Sequence, residues 1–320
     1  MKAIITGATG GLGRNLGEFL NKKNWEVIGF GRNKKIGNSL GYKFKAFDLS
    51  DPDETLKAFE KADVVFHCAA LSSPWGKYED FFKHNVIATK NVITAIKKYE
   101  IKKLIHVSTP SIYFNFSDQR DIKETYLPKK FVNHYAKTKY LAEQEVLNSD
   151  IDSVIIRPRG IFGEYDSVLI PRLEKIAAKG FLPVIKEKNP LVDVTYVGNV
   201  VYSMYLAAIK KTPEKSVFNI TNDESMHIYE LFEMVMKTLN KQVKFKKISY
   251  NKMMTIAKTM EFFSKIKITK EPLITQYGVG LIAFDQTLCI QNAKNILNYE
   301  PKYSIKEGLE RYARSKYQTL

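Results

Sequence analysis

The stretch Lys2-Ala3-Ile4-Ile5-Thr6-Gly7-Ala8-Thr9-Gly10-Gly11-Leu12-Gly13 decides the fold. A short β-rich apolar run, Lys2 to Thr6, meets glycines at 7, 10, 11 and 13, and a helical stretch, Leu12 to Asn21, follows them. Glycines at this spacing let a strand turn tightly and bring backbone N–H groups up to a pyrophosphate, which then rests on the positive end of the next helix. Such a pattern standing alone is weak. Between an apolar strand and a helix it reads as a dinucleotide-binding turn, with Gly7, Thr9, Gly10, Gly11, Leu12 and Gly13 as the expected contacts.

The rhythm continues outward. β-rich runs at Trp25 to Phe30, Lys43 to Phe47, Val64 to Cys68, Lys103 to Ser108 and Ser153 to Arg157 alternate with helical stretches at Asp53 to Phe59, Phe81 to Tyr99 and Tyr135 to Leu147. That alternation predicts an α/β fold, a Rossmann-type doubly wound parallel sheet covered by helices on both faces. After residue 160 it breaks at Pro171, Pro183, Pro190 and Pro213. Residues 1–160 are expected to form the dinucleotide-binding domain and 161–320 mainly a smaller C-terminal substrate-binding lobe, with 191–222 returning to the first domain.

Composition excludes several classes. No apolar stretch approaches the roughly 20 residues of a membrane span, and Met1-Lys2 leads straight into the first strand, so neither a transmembrane segment nor a signal peptide is expected and the location is expected to be cytoplasmic. The net charge of +16 reads as lysines on solvated faces, because no aromatic-interleaved basic module accompanies it; no nucleic acid partner is expected. Cys68 and Cys289 lie far apart and in no metal spacing. Both are expected to be buried thiols, with no disulfide and no metal site.

Strand ends refine the cofactor. The second strand closes on Gly29-Phe30-Gly31-Arg32-Asn33-Lys34-Lys35, with no carboxylate to receive a ribose 2′-hydroxyl and with an arginine able to grip a 2′-phosphate in forked geometry. NADP(H) is therefore preferred and NAD(H) is the alternative; a merely solvated Arg32 is the competing reading. Asp48-Leu49 offers a carboxylate for the adenine amino group and a leucine behind the ring, or else an acid that starts a helix. His67-Cys68-Ala69-Ala70 supplies small residues where backbone passes the cofactor ribose, with His67 read as a packed core histidine.

Carbonyl reduction needs a hydride, a hydrogen bond on the oxygen and an acid. Tyrosine can be that acid if a neighbouring ammonium lowers its pKa. Tyr135 and Lys139 stand at i and i+4, on one helix face. Tyr99/Lys103, Tyr126/Lys130 and Tyr312/Lys316 share the spacing. The first straddles a helix end and a strand start, the second is interrupted by Pro128, and the third lies at the far terminus. Only Tyr135 opens a long helix downstream of the fifth strand. That strand ends in His106-Val107-Ser108-Thr109-Pro110-Ser111, which aims Ser108 and Thr109 toward the cofactor, although either hydroxyl also suits a turn cap.

These motifs resemble those of the extended short-chain dehydrogenase/reductase superfamily, the NAD-dependent epimerase/dehydratase family, along nearly the whole chain. The resemblance implies that Thr109 is the catalytic Ser/Thr, Tyr135 the acid/base, and Lys139 the residue that binds the nicotinamide ribose and tunes the tyrosine. It implies that Asn85 is the supporting helix asparagine and that Pro158, in Arg157-Pro158, contacts the nicotinamide end.

The family houses several reactions. Dehydration is disfavoured, because Pro110-Ser111 stands where a dehydratase would carry Asp-Glu after the catalytic threonine. Ala70-Leu71-Ser72-Ser73-Pro74-Trp75-Gly76, His106 to Tyr113 and Arg157-Pro158-Arg159-Gly160-Ile161-Phe162-Gly163 are similar to the 3β-hydroxysteroid dehydrogenase-like branch and, within it, to bacterial 2-alkyl-3-oxoalkanoate reductases. The resemblance implies a hydrophobic 3-oxo/3-hydroxy substrate, with Ser72, Pro110, Ser111 and Arg159 as substrate contacts, and a homodimer paired through helices such as 81–99 and 135–147. A nucleotide-sugar 4-epimerase is the alternative, and a non-catalytic NADP-sensing regulator is the alternative of another class. Residues 251–284 mix Met253, Met254, Met260, Phe262 and Phe263 with lysines. They read as a lid over a greasy substrate, as a peripheral membrane contact, or as an ordinary lobe helix.

Overall fold

The computed structural model describes residues 1–266 and 272–318. Seven strands form a parallel sheet: β1 (Lys2–Thr6), β2 (Glu26–Gly31), β3 (Lys43–Ala46), β4 (Val64–His67), β5 (Lys103–Val107), β6 (Ser153–Pro158) and β7 (Ser216–Ile220), in the order β7-β6-β5-β4-β1-β2-β3. The helices that bear on the cleft are α1 (Gly11–Lys22), α2 (Pro52–Ala58), α3 (Ala88–Lys98), α4 (His134–Leu147), α5 (Val197–Ile209), α6 (Tyr250–Lys265) and α7 (Gln276–Leu281). The chain winds outward from β1 to β3, then crosses back to β4 on the other side of β1. A crevice opens at that reversal, beyond the carboxyl ends of β1 and β4.

The apolar run of β1 feeds two cores. Ala3 and Ile5 pack with Leu16 and Leu20 of α1 and Val200 and Met204 of α5, whereas Ile4 packs on the opposite face with Val92 and Ile96 of α3 and Val146 of α4. A strand buried on both faces carries no alternation. At about 1.5–3 kcal/mol per buried aliphatic side chain, these two layers hold the crevice walls rigid.

One segment of the first 160 residues pairs outside the main sheet. Gln119–Ile122, from the first half of the chain, pairs with Gln286–Leu288 in a separate four-stranded sheet that also contains Leu191–Val192 and Met226–His227. The chain thus visits the lobe before α4 begins. Within 191–222, α5 lies against the main sheet and β7 is its edge strand beside β6. The lobe has its own core, built on Phe162, Leu182, Tyr196, Ile228, Leu231 and Val235.

The single helix expected over Phe81 to Tyr99 is three consecutive windings: α-helix Tyr78–Phe81, π-helix Phe82–Ile87 and then α3. A π-helix shifts the face that each side chain occupies, which a 3.6-residue period cannot register. Part of segment 251–284, residues 267–271, lies outside the described residues. In the remainder Met253 and Ala257 are buried, while Phe262 is 58% exposed and Phe263 41%. Among the described residues no helix is long and apolar enough to cross a membrane.

Candidate active site

The turn after β1 leaves no room for side chains. Gly7 has φ +69°, and a Cβ there would stand 2.8 Å from the Ala69 backbone nitrogen; at Gly13 it would stand 2.3 Å from the Gly7 carbonyl oxygen. Only glycine permits the approach of β1 to the Cys68-Ala69 segment and of α1 to its own entry turn. α1 begins with neither a side-chain cap at Gly10 nor an acid in its first turn. Its free N–H groups and positive end suit a pyrophosphate. Thr9 lies beside Gly31, where a Cβ would be 3.0 Å from Thr9 Oγ1. Leu12 packs at the edge of the cores below.

At the far end of the crevice Arg32 is exposed, with Nη1 3.4 Å from His84 Nε2. Nδ1 of that histidine is 3.7 Å from Asp48 Oδ1. Burial, followed by the Arg32 charge, holds His84 below the usual imidazole range. Asp48 does not start a helix, since Asp51 caps α2 by accepting from Glu54 N–H. Its Oδ1 instead accepts from the backbone N–H and hydroxyl of Ser50 at 2.9 and 2.8 Å. The Leu49 side chain is buried in the core beside Phe59 and Val92.

A directional hydrogen-bond chain crosses the switch point. The Thr89 hydroxyl donates to the Asn85 carbonyl at 2.6 Å, so its oxygen can only accept from His67 Nε2 at 2.9 Å. His67 Nδ1 is therefore the acceptor for the Thr6 hydroxyl at 2.7 Å, and Thr6 in turn accepts from Ala69 N–H at 3.2 Å. His67 is a satisfied, neutral core histidine, lowered to about 3 by burial. Asn85, in the π-helix, accepts from Leu71 N–H at 2.7 Å and donates to Thr138 Oγ1 at 3.1 Å. It fastens the loop after β4 to α4.

Asn133 caps α4 by accepting from Ala136 N–H, which sets Tyr135 in the first turn. Tyr135, Lys139 and Glu143 form one stripe at successive i+4 positions. The phenol of Tyr135 faces the hydroxyls of Ser72 and Thr109; burial raises its pKa and these two hydroxyls oppose the rise. Thr109 Oγ1 donates to Ser111 Oγ at 3.0 Å, and Ser111 Oγ lies 2.7 Å from the hydroxyl of Tyr277 on α7. Pro110 opens the short 3-10 turn Pro110–Tyr113 that Thr109 caps. Among the described residues the Ser108 hydroxyl is buried without a partner, free to meet a dinucleotide bound at this strand end.

Lys139 turns inward: its ammonium donates to the Val107 carbonyl at 2.6 Å and lies 3.5 Å from His106 Nε2. Burial pushes Lys139 down to about 8, against the pull of Glu143. Glu143 is spent on Arg157, a buried pair that also includes Tyr113 and the Glu124 carbonyl. Cys68 and Cys289 are free thiols and only partly covered, where burial was expected. Cys68 follows β4 at the crevice, and desolvation raises its thiol to about 12. Pro158 is buried at the end of β6, in register with Ile220; Ala69 lies against Gly7, and Ala70 after it is exposed.

Tyr277 was not found from the sequence. Nothing local marks a tyrosine that reaches Ser111 across 166 positions, although it lies in the 251–284 segment, for which a lid was one of three readings.

A glycine cradle at a switch point, next to a hydroxyl cluster beside a buried lysine, defines a nucleotide-dependent enzyme of the extended short-chain dehydrogenase/reductase type. The chain belongs to the NAD dependent epimerase/dehydratase family, whose sequence pattern matches residues 3–221. It is 35% identical to protein YbjS of Escherichia coli (strain K12), over 98% of this chain and 97% of that protein. It is 34% identical to sterol-4-alpha-carboxylate 3-dehydrogenase, decarboxylating, of Saccharomyces cerevisiae (84% and 81% covered). It is 28% identical to 2-alkyl-3-oxoalkanoate reductase of Shewanella oneidensis (97% and 84%). In fold it is similar to UDP-glucuronic acid 4-epimerase from Bacillus cereus, solved with NAD, at TM-score 0.77 and 23% identity, with 99% of each chain covered.

Proposed function

We propose that this enzyme transfers hydride between a nicotinamide dinucleotide, NADP(H) by preference, and a 3-oxo/3-hydroxy group on a hydrophobic substrate. The observation that carries the reading is the convergence of the Tyr135, Thr109 and Ser72 hydroxyls beside the Gly7 to Gly13 cradle. The bound nicotinamide supplies the hydride. Thr109 and Ser72 hold the substrate oxygen, and Tyr135 protonates it. A phenol kept above its ordinary pKa stays protonated at neutral pH and can give that proton. Lys139, with Asn85 and His67 behind it, fixes the floor on which the ribose lies. The relatives that act on 3-oxoalkanoates and sterol carboxylates support a 3-position carbonyl. Beyond Tyr277 the rings of Phe114, Phe116 and Phe284 offer the greasy wall such a substrate needs. Pairing of two copies through α4 and the helix before β5 belongs to the same reading, as does contact of Phe262 and Phe263 with a membrane surface.

The test is oxidation of a 2-alkyl-3-hydroxyalkanoate with NADP+ by the native enzyme and by Tyr135→Phe. Removing an acid/base costs about 10²–10⁴-fold in kcat, while the Phe ring keeps the contact with Phe81. Full turnover by the variant, or purified protein that retains dinucleotide and epimerises a nucleotide sugar, overturns the reading.

A further inference from the structure

Arg159 is the first residue past β6, at the open end of the sheet. Its backbone is locked: the N–H donates to the Ile220 carbonyl at 3.0 Å and its carbonyl accepts from Thr195 Oγ1 at 2.6 Å, before Gly160 turns away with φ +53°. The residue is only 8% exposed. Among the described residues no group hydrogen-bonds to the guanidinium, and Nε is buried without a partner. Two groups face it electrostatically, Tyr277 and Asp193. Asp193 forms no ion pair with it, and both of its carboxylate oxygens are engaged: Oδ1 by the Ser225 hydroxyl and Oδ2 by Leu288 N–H, each at 2.7 Å. Tyr277 is the residue that closes the series Tyr135, Thr109, Ser111 and Tyr277 leading out of the reaction centre.

A buried cation without its fork filled is costly, and proteins keep one where an anion arrives to complete it. We infer that Arg159 is the specificity residue that anchors a carboxylate on the substrate, so that the substrate is an acid carrying the 3-oxo or 3-hydroxy group beside its head and apolar chains beyond. The inference rests on the proposed hydride transfer and adds the head group to it. Tyr277 and Ser111 stand between anchor and reaction centre, where they set the distance from the carboxylate to the reacting carbon.

The experiment compares a 2-alkyl-3-hydroxyalkanoate with its methyl ester, in the native enzyme, Arg159→Met and Arg159→Lys. The native enzyme should prefer the acid by about 10- to 100-fold in kcat/KM, the scale of a charge-assisted bond. In R159M that ratio should collapse toward one through KM, and R159K should restore part of it. The melting temperature of R159M should hold or rise, since an unpaired buried cation has been removed; an arginine with a purely structural role would lower it. Equal loss on acid and ester, or no acid preference in the native enzyme, overturns the inference. If neither compound is oxidised, the proposed reaction fails separately, and calorimetric titration with the same pair still decides. Acid binding that R159M abolishes supports the anchor, and equal binding of acid and ester overturns it.

Discussion

The turn from Thr6 to Gly13 and the helix α7 serve one crevice, but the turn does so with backbone set by neighbouring glycines, whereas α7 brings Tyr277 to Ser111 from 166 positions away. The turn has no slack, because its contacts are main chain against main chain at Gly7, Ala69 and Gly13. The α7 contact is one hydroxyl pair at the end of a rotatable side chain. A site built this way should be brittle on the cofactor side and adjustable on the substrate side.

The sharpest attempt to break the contrast is Gly13→Ala. The added Cβ would fall 2.3 Å from a carbonyl oxygen, and a backbone atom cannot swing aside as a side chain can. Overpacking against fixed backbone costs on the order of 3 kcal/mol, which lowers the melting temperature by about 4–5 °C in a chain of this size. Dinucleotide affinity should fall by at least about 100-fold as the turn opens. Calorimetry with and without cofactor measures both, and a variant that still binds NADP+ normally would show that the turn is not brittle.

The same contrast explains what could be read from the sequence. The glycine run, the six strands read from the alternation and the Tyr135/Lys139 pair are periodic or consecutive, so local rules expose them. The strand Gln119–Ile122 was not read from the sequence, because its pairing with Gln286–Leu288 is decided by tertiary contact, not by its own residues. The π-helix around Asn85 departs from the period that reveals helices. Lys139 has the expected spacing from Tyr135, yet its ammonium is turned to Val107, a matter of side-chain rotamer that spacing does not encode.

His67 joins the end of β1 to α3 through Thr6 and Thr89 and gives the floor of the crevice a pH dependence. Folded, it is neutral down to about 3; unfolded, it protonates near its ordinary 6.5. Between those values the unfolded chain holds the extra proton, so stability is complete above 6.5 and is lost as pH falls toward 3, by up to about 1.4 kcal/mol per pH unit for one group. His106, held well below its ordinary value by burial, acts in the same direction. Lys139 acts at the other end: from about 8 to 10.5 the unfolded chain again holds the extra proton, so its burial cost is present below 8 and is relieved as pH rises. Denaturant unfolding across pH should show an acid limb that flattens in His67→Gln, whose amide can still accept from Thr6 and donate to Thr89. An acid limb unchanged in that variant would mean that His67 takes up no proton on unfolding.

The smallest effect is expected where the crevice relies on exposed side chains alone. Arg32 lies 3.4 Å from one nitrogen of His84, and the other nitrogen is 3.7 Å from Asp48. A 2′-phosphate placed at this corner gains the guanidinium fork and meets the repulsion of the Asp48 carboxylate, with a largely neutral imidazole between them. One cation against one acid near solvent yields a modest preference, since water screens both. Arg32→Ala should therefore lower the ratio of kcat/KM for NADPH over NADH by about tenfold, mostly through KM. Asp48→Asn should raise the ratio a few-fold, by removing the repulsion while an amide oxygen still accepts from Ser50. If R32A leaves the ratio unmoved, Arg32 is a solvated surface residue, and cofactor choice passes to the backbone-built side of the crevice. If both variants move it as expected, the brittle turn fixes that a dinucleotide binds, while two exposed side chains decide which one.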